Sequence, residues 1–172
     1  MKTLTTSVLA AGLFALTLGS IATAADAAEG RVRARGANGA VAAGSHNGNT
    51  YVRGRGAHAN ADGSTTTASG GAVRTADGGR AARRSTTTYN TDGSVDHKGS
   101  FGATGARGTL NSQGSSTRNA DGTVTGSRTT NATDARTGNS YSGSTTYDST
   151  TGATRQATCR DASGATITCP SR

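Results

Sequence analysis

Cys159 and Cys169 are the only two cysteines in the sequence. An even cysteine count in an exported chain reads as a disulfide rather than as free thiols. Asp161-Ala162-Ser163-Gly164 lies between them as a turn, flanked by short Thr/Ala-rich stretches. The even spacing puts both cysteines on one face of a strand pair, with Ala157 and Ile167. A C-terminal hairpin clasped by Cys159–Cys169 is expected, with a loop-closure contribution of roughly 2–3 kcal/mol. A metal site is the weaker reading. No Cys-x-x-Cys occurs, and His46, His58 and His97 are far away in sequence.

Arginine is the second residue type with chemistry to offer. The net charge is +8, and the excess is concentrated early, where Arg31, Arg33, Arg35, Arg53 and Arg55 face only Glu29 before Asp62. Guanidinium groups donate in pairs to phosphate and carboxylate. These five residues are therefore candidate polyanion-binding groups, for an acidic polysaccharide, lipopolysaccharide or nucleic acid. Aromatic interleaving, which would favour nucleic acid, is limited to Tyr51. The competing reading is that arginine simply keeps an apolar-poor surface soluble, and composition favours it.

Other chemistries find little footing. There is no Gly-x-Ser-x-Gly, no phosphate-binding loop and no His-Glu-x-x-His. Asn90, Asp92 and Asp96 loosely resemble the start of a calcium loop but lack its further carboxylates. Neither catalysis nor a cofactor nor a metal is expected.

The elements that would position these groups are read from composition and turns. Met1-Lys2, an apolar run centred on Val8–Leu16, and small residues at Ala22-Thr23-Ala24 and Ala25-Asp26-Ala27 form a secretory signal peptide over 1–27, cleaved near Ala24 to Ala27. No later segment is long and apolar enough to cross a membrane as a helix. From Ala28 onward only thirteen sizeable apolar side chains occur in 145 residues. Burying each stabilises by roughly 1.5–3 kcal/mol, against about 1–2 kcal/mol of backbone entropy for every residue ordered. A globule around one hydrophobic core is excluded. Abundant threonine and the single proline, Pro170, speak against plain disorder and for strands.

Turns recur at Asn60-Ala61-Asp62-Gly63, Thr75-Ala76-Asp77-Gly78, Asn90-Thr91-Asp92-Gly93 and Asn119-Ala120-Asp121-Gly122. Asn or Thr at the first position is expected to accept a hydrogen bond from the folded backbone, and Gly to take a positive φ. Glycines at 48, 63, 78, 93 and 108 are fifteen apart and continue at 122, 138 and 152. One strand plus one turn per unit follows. Between the turns Val95, His97, Phe101 and Ala103 alternate with Asp96, Lys98 and Ser100, and Tyr141, Thr145 and Tyr147 with serine and threonine, as half-buried strands do. Residues 28–60 lack the Asp-Gly turns and read as a flexible basic arm, or at best weak strands.

Tyr147-Asp148-Ser149-Thr150-Thr151-Gly152 resembles the Tyr-Asp-x-x-Gly core of YD-repeat proteins, with one residue more, and Tyr89-Asn90-Thr91-Asp92-Gly93 resembles it less closely. A signal peptide followed by Gly/Thr/Ser repeats and a Cys-clasped end resembles small secreted bacterial proteins of unknown function. These resemblances imply export and β-structure. The threonine triplets at 65–67 and 86–88 invite comparison with ice-binding solenoids, but their spacing of 21 does not recur per unit.

The sequence thus reads as an all-β chain of short antiparallel hairpin or meander repeats, about fifteen residues each, over 61–172. The expected role is a non-catalytic structural or adhesive protein, secreted or periplasmic, with self-association by strand pairing. The alternative is a cationic binder of an anionic polymer through the arm.

Overall fold

The computed structural model describes residues 30–169; the expected signal peptide over 1–27 lies outside them. Chain reversals dictate the architecture. The eight glycines of the repeat, at 48, 63, 78, 93, 108, 122, 138 and 152, all adopt positive φ, as does Gly164 in the turn between the cysteines. Each stands in a turn or at its junction with a strand, where an L side chain would be strained. The intervening segments are strands: β1 Gly30–Gly36, β2 Gly39–His46, β3 Asn49–Ala59, β4 Thr65–Arg74, β5 Arg80–Tyr89, β6 Val95–Gly105, β7 Gly108–Arg118, β8 Val124–Asp134, β9 Ser140–Asp148, β10 Gly152–Arg160 and β11 Thr166–Ile167. They form one antiparallel sheet in sequence order, a meander of 11 strands. The all-β repeat expected from the turns is what the chain forms.

The arm expected over 28–60 is part of this sheet from Gly30 onward. Arg31, Arg33 and Arg35 alternate with Val32 and Ala34, which is strand period, and β1 pairs with β2 along its whole length. Asn47 and Gly48, with φ of 50° and 73°, make the two-residue reversal between β2 and β3. Asn-Gly is the strongest short hairpin signal, and a reading keyed to Asp-Gly turns passes over it.

The sheet is a single layer. Each strand contacts only its sequence neighbours. The half-buried strands inferred from alternation are here exposed on both faces. Among the described residues only Ala42, Cys159, Ser64 and Ser112 are buried. Stability must come from backbone ladders and cross-strand pairs, since no second layer covers either face.

Candidate polyanion-binding face

Directly paired residues share a face of an antiparallel sheet, so the register sorts the side chains into two sets. One set contains the row Tyr51, Val73, Ala81, Ala103, Leu110, Ala132, Tyr141, Cys159 and Ile167, each paired with the next. All five aromatic residues of the sheet, Tyr51, Tyr89, Phe101, Tyr141 and Tyr147, fall on this side, in step with the alternation read from sequence. The same side carries Arg31, Arg33, Arg35, Arg53, Arg55, Arg83, Arg118, Arg128 and Arg155; we call it the arginine face. The opposite face is rich in Thr, Ser, Asn and Gln, with Arg74, Arg80, Arg84, Lys98 and Arg160.

All five arginines singled out from sequence are therefore brought together. Arg33 pairs with Ala42, Ala42 with Arg53, Arg53 with Gly71 and Gly71 with Arg83. One row over, Arg35 pairs with Ala40 and Ala40 with Arg55. Arginines on β1 and β3 form two rails, and Ala40, Ala42 and Gly44 of β2 form a low floor between them. Rails two strands apart are separated by about 9.6 Å, and successive arginines on one strand by about 6.8 Å. Ala42 is buried between its flanking arginines, whose aliphatic stems can lie along it while the charged ends stay in water. Arg53, Arg55, Arg83 and every residue of β1 are exposed.

Beside Arg55 the same face hollows into a shallow groove of about 370 Å³, lined also by Thr67, Ser69, Ser85 and Thr87. Ser69 Oγ and Ser85 Oγ are 3.0 Å apart across the β4–β5 pair. Thr87 Oγ1 and His97 Nδ1 lie 2.9 Å apart farther along. The groove thus sets a guanidinium next to hydroxyls that both donate and accept. The threonine triplets, compared above with solenoid faces, turn out to be cross-strand neighbours. Thr66 pairs with Thr88, their hydroxyls 3.1 Å apart.

Acidic side chains are kept away from the arginine face by the turns. Asp62 Oδ1 accepts from Ser64 N at 2.9 Å and Ser64 Oγ at 2.7 Å. Asp92 does the same with Ser94, and Asp121 with Thr123. Asp77 accepts from Thr75 Oγ1 and from Gly79 N. The first residue acts differently from expectation. Asn60 Nδ2 donates to Ser64 Oγ at 2.8 Å, and Asn90 and Asn119 donate likewise to Ser94 and Thr123. The hydroxyl after each Gly therefore sits between an amide donor and a carboxylate acceptor. Ser or Thr in that fifth position is the signal that a four-residue reading of the turn leaves out.

These bonds favour the ionised acids. The Ser64 hydroxyl holds Asp62 below the ordinary carboxylate range, and Ser94, Thr123 and Ser163 do so for Asp92, Asp121 and Asp161. The Thr75 hydroxyl lowers Asp77. For Asp134 and Asp148 the leading cause is a backbone N–H, of Thr137 and Thr150 respectively. Asp96, on the threonine-rich face, is lowered by the Thr117 hydroxyl and then by Asn90. Both oxygens of Asp96 are thus engaged, Oδ1 by Thr117 and Oδ2 by Asn90, which fits a structural turn rather than a calcium loop.

Cys159 and Cys169 form the expected disulfide, with Cα atoms 5.2 Å apart. β11 pairs Ile167 with Cys159 and Thr166 with Arg160, and Asp161 Oδ1 caps the turn through Ser163 and Ala165. The clasp sits at one edge of the sheet, away from the arginine rails.

No family model, curated protein or solved structure matches the chain.

Proposed function

We propose that this is an exported, non-catalytic adhesive sheet that holds an acidic polysaccharide against its arginine face. The observation that carries this reading is the convergence of Arg31, Arg33, Arg35, Arg53, Arg55 and Arg83 on one side of the sheet. They flank small residues there, while the turns hold the aspartates at the strand ends. An extended anionic chain lying over β2 meets paired donors on either side. The hydroxyl-lined groove beside Arg55 suits the hydroxyls of sugar rings. Nucleic acid fits less well, because base stacking needs aromatic side chains among the cations, and only Tyr51 stands beside the rails.

Titrating polygalacturonate binding against salt tests the proposal. Affinity should fall linearly on a log–log plot as counterions are released. Replacing Arg53 and Arg55 together by serine should weaken binding and lower the slope by roughly one unit. Replacing Arg74 and Arg80, on the other face, should change it little. Equal loss from both pairs, or binding indifferent to salt, would sink the reading. Tighter binding to oligothymidine than to polygalacturonate would transfer the site to nucleic acid.

A further inference from the structure

β1 and β10 bound the sheet, and both have open edges. Among the described residues nothing pairs with the outer side of β1, all seven residues of which are exposed. β11 pairs with only two of the nine residues of β10, leaving the seven at 152–158 unpaired outward. Asp161 N–H donates to Ala165, so the ladder's alternation directs the N–H groups of Cys159, Ala157, Arg155 and Ala153 away from β9. Free edges are templates for strand addition unless something blocks them.

The two edges match in length and in direction. Strands alternate in a meander, so β1 and β10 run oppositely, and a second copy related by translation would set its β1 antiparallel to β10. The register that pairs all seven residues places Gly30 opposite Thr158 and Gly36 opposite Gly152. It keeps the arginine faces continuous. It also places Arg33 directly opposite Arg155, with Arg31 and Arg35 as diagonal neighbours. Like charges directly opposite are destabilising, and no carboxylate on that side offsets them. Pairing β1 with β1 about a two-fold axis is worse: Arg33 meets itself and Arg31 meets Arg35. The edge arginines therefore act as a block on a joint that the backbone otherwise allows.

We propose that an acidic polysaccharide lifts this block and joins copies of the chain end to end, β1 of one copy against β10 of the next. The trigger rests on the polymer-binding reading above; the joint itself does not. Four guanidiniums from two copies converge where the polymer crosses the seam. A translational joint leaves one free β1 and one free β10 at every stage, so the product is an open filament.

Light scattering and electron microscopy of the full chain, with labelled polygalacturonate followed by anisotropy, separate binding from assembly. Wild type should form filaments only with the polymer. Arg155→Thr should assemble without it, at a protein concentration about fivefold lower than wild type needs, the factor equivalent to ~1 kcal/mol of cross-strand repulsion. Ala157→Pro, which removes an outward N–H and no ladder bond, should keep polymer binding and lose assembly. If labelled polymer binds while wild type and Arg155→Thr both stay monomeric, the inference is overturned. If wild type does not bind polymer, the proposed function and its trigger fall. Arg155→Thr then decides the joint: filaments uphold it and monomers refute it.

Discussion

At Gly78 the backbone has φ +86°, and a Cβ placed there would meet nothing within 4 Å. Replacing it by alanine isolates the conformational cost of a left-handed residue, about 1 kcal/mol. At Gly138, with φ +72°, the added Cβ would also lie 2.8 Å from Ala162 Cβ in the neighbouring turn. Gly138→Ala should therefore destabilise more than Gly78→Ala, and urea denaturation of the two variants gives the order directly. The aspartates of the turns make a second expectation at this scale. Their folded pKa values are depressed by hydroxyl and N–H donors. The stability they contribute is present above the unfolded carboxylate value of about 3.9 and is lost as pH falls through the lower folded values. Thermal stability should be flat from neutral pH to about 5 and decline below about 4. Stability that rises on acidification would contradict these bonds.

At the scale of the strand and turn, the disulfide secures a weak element. β11 has two residues, too few to hold by ladder bonds alone. Reduction should release β11 while leaving β2 to β9 intact, since the loop-closure contribution of roughly 2–3 kcal/mol acts on that hairpin. Hydrogen exchange should show protection lost at Cys159 and Arg160 and kept at Leu110. Much of this level was legible in the sequence. The spacing of glycines gave the strand-plus-turn unit, because a positive φ is a local requirement that only a few residues meet. The cysteine pair was legible for the same reason, lying across a short Asx turn. The grouping of Arg83 with Arg33 and Arg53 was not. It depends on the register of four consecutive pairings, each set by the length of a turn, and a one-residue change in any of them would send Arg83 to the opposite face. The strand nature of 30–59 was masked by arginine and glycine content, although Asn47-Gly48 marked its reversal.

The whole molecule is a stack of nearest-neighbour pairings with no covering layer, and its thermodynamics should differ from those of a globule. Thirteen sizeable apolar residues in 145 leave little to bury, and Phe101, Tyr89, Tyr141 and Tyr147 remain 38–51% exposed. Heat capacity on unfolding scales with apolar surface newly exposed, offset by polar surface. Its value per residue should fall clearly below the usual ~12–15 cal/mol/K. Energies that add strand by strand also predict fraying from the ends, as in one-dimensional repeat arrays. β5 to β7 should be the most protected in native-state exchange and β1 the least. Differential scanning calorimetry on the monomer measures the first quantity and exchange the second. A heat capacity in the ordinary range would mean that a face of the sheet is covered in solution. The arginine rails, which need open water and an approaching polymer, would then have to be placed elsewhere. Bound polysaccharide should reverse the gradient at one end, raising protection in β1 to β3 ahead of β7 to β9, because the cations it bridges stand on the strands that otherwise fray first.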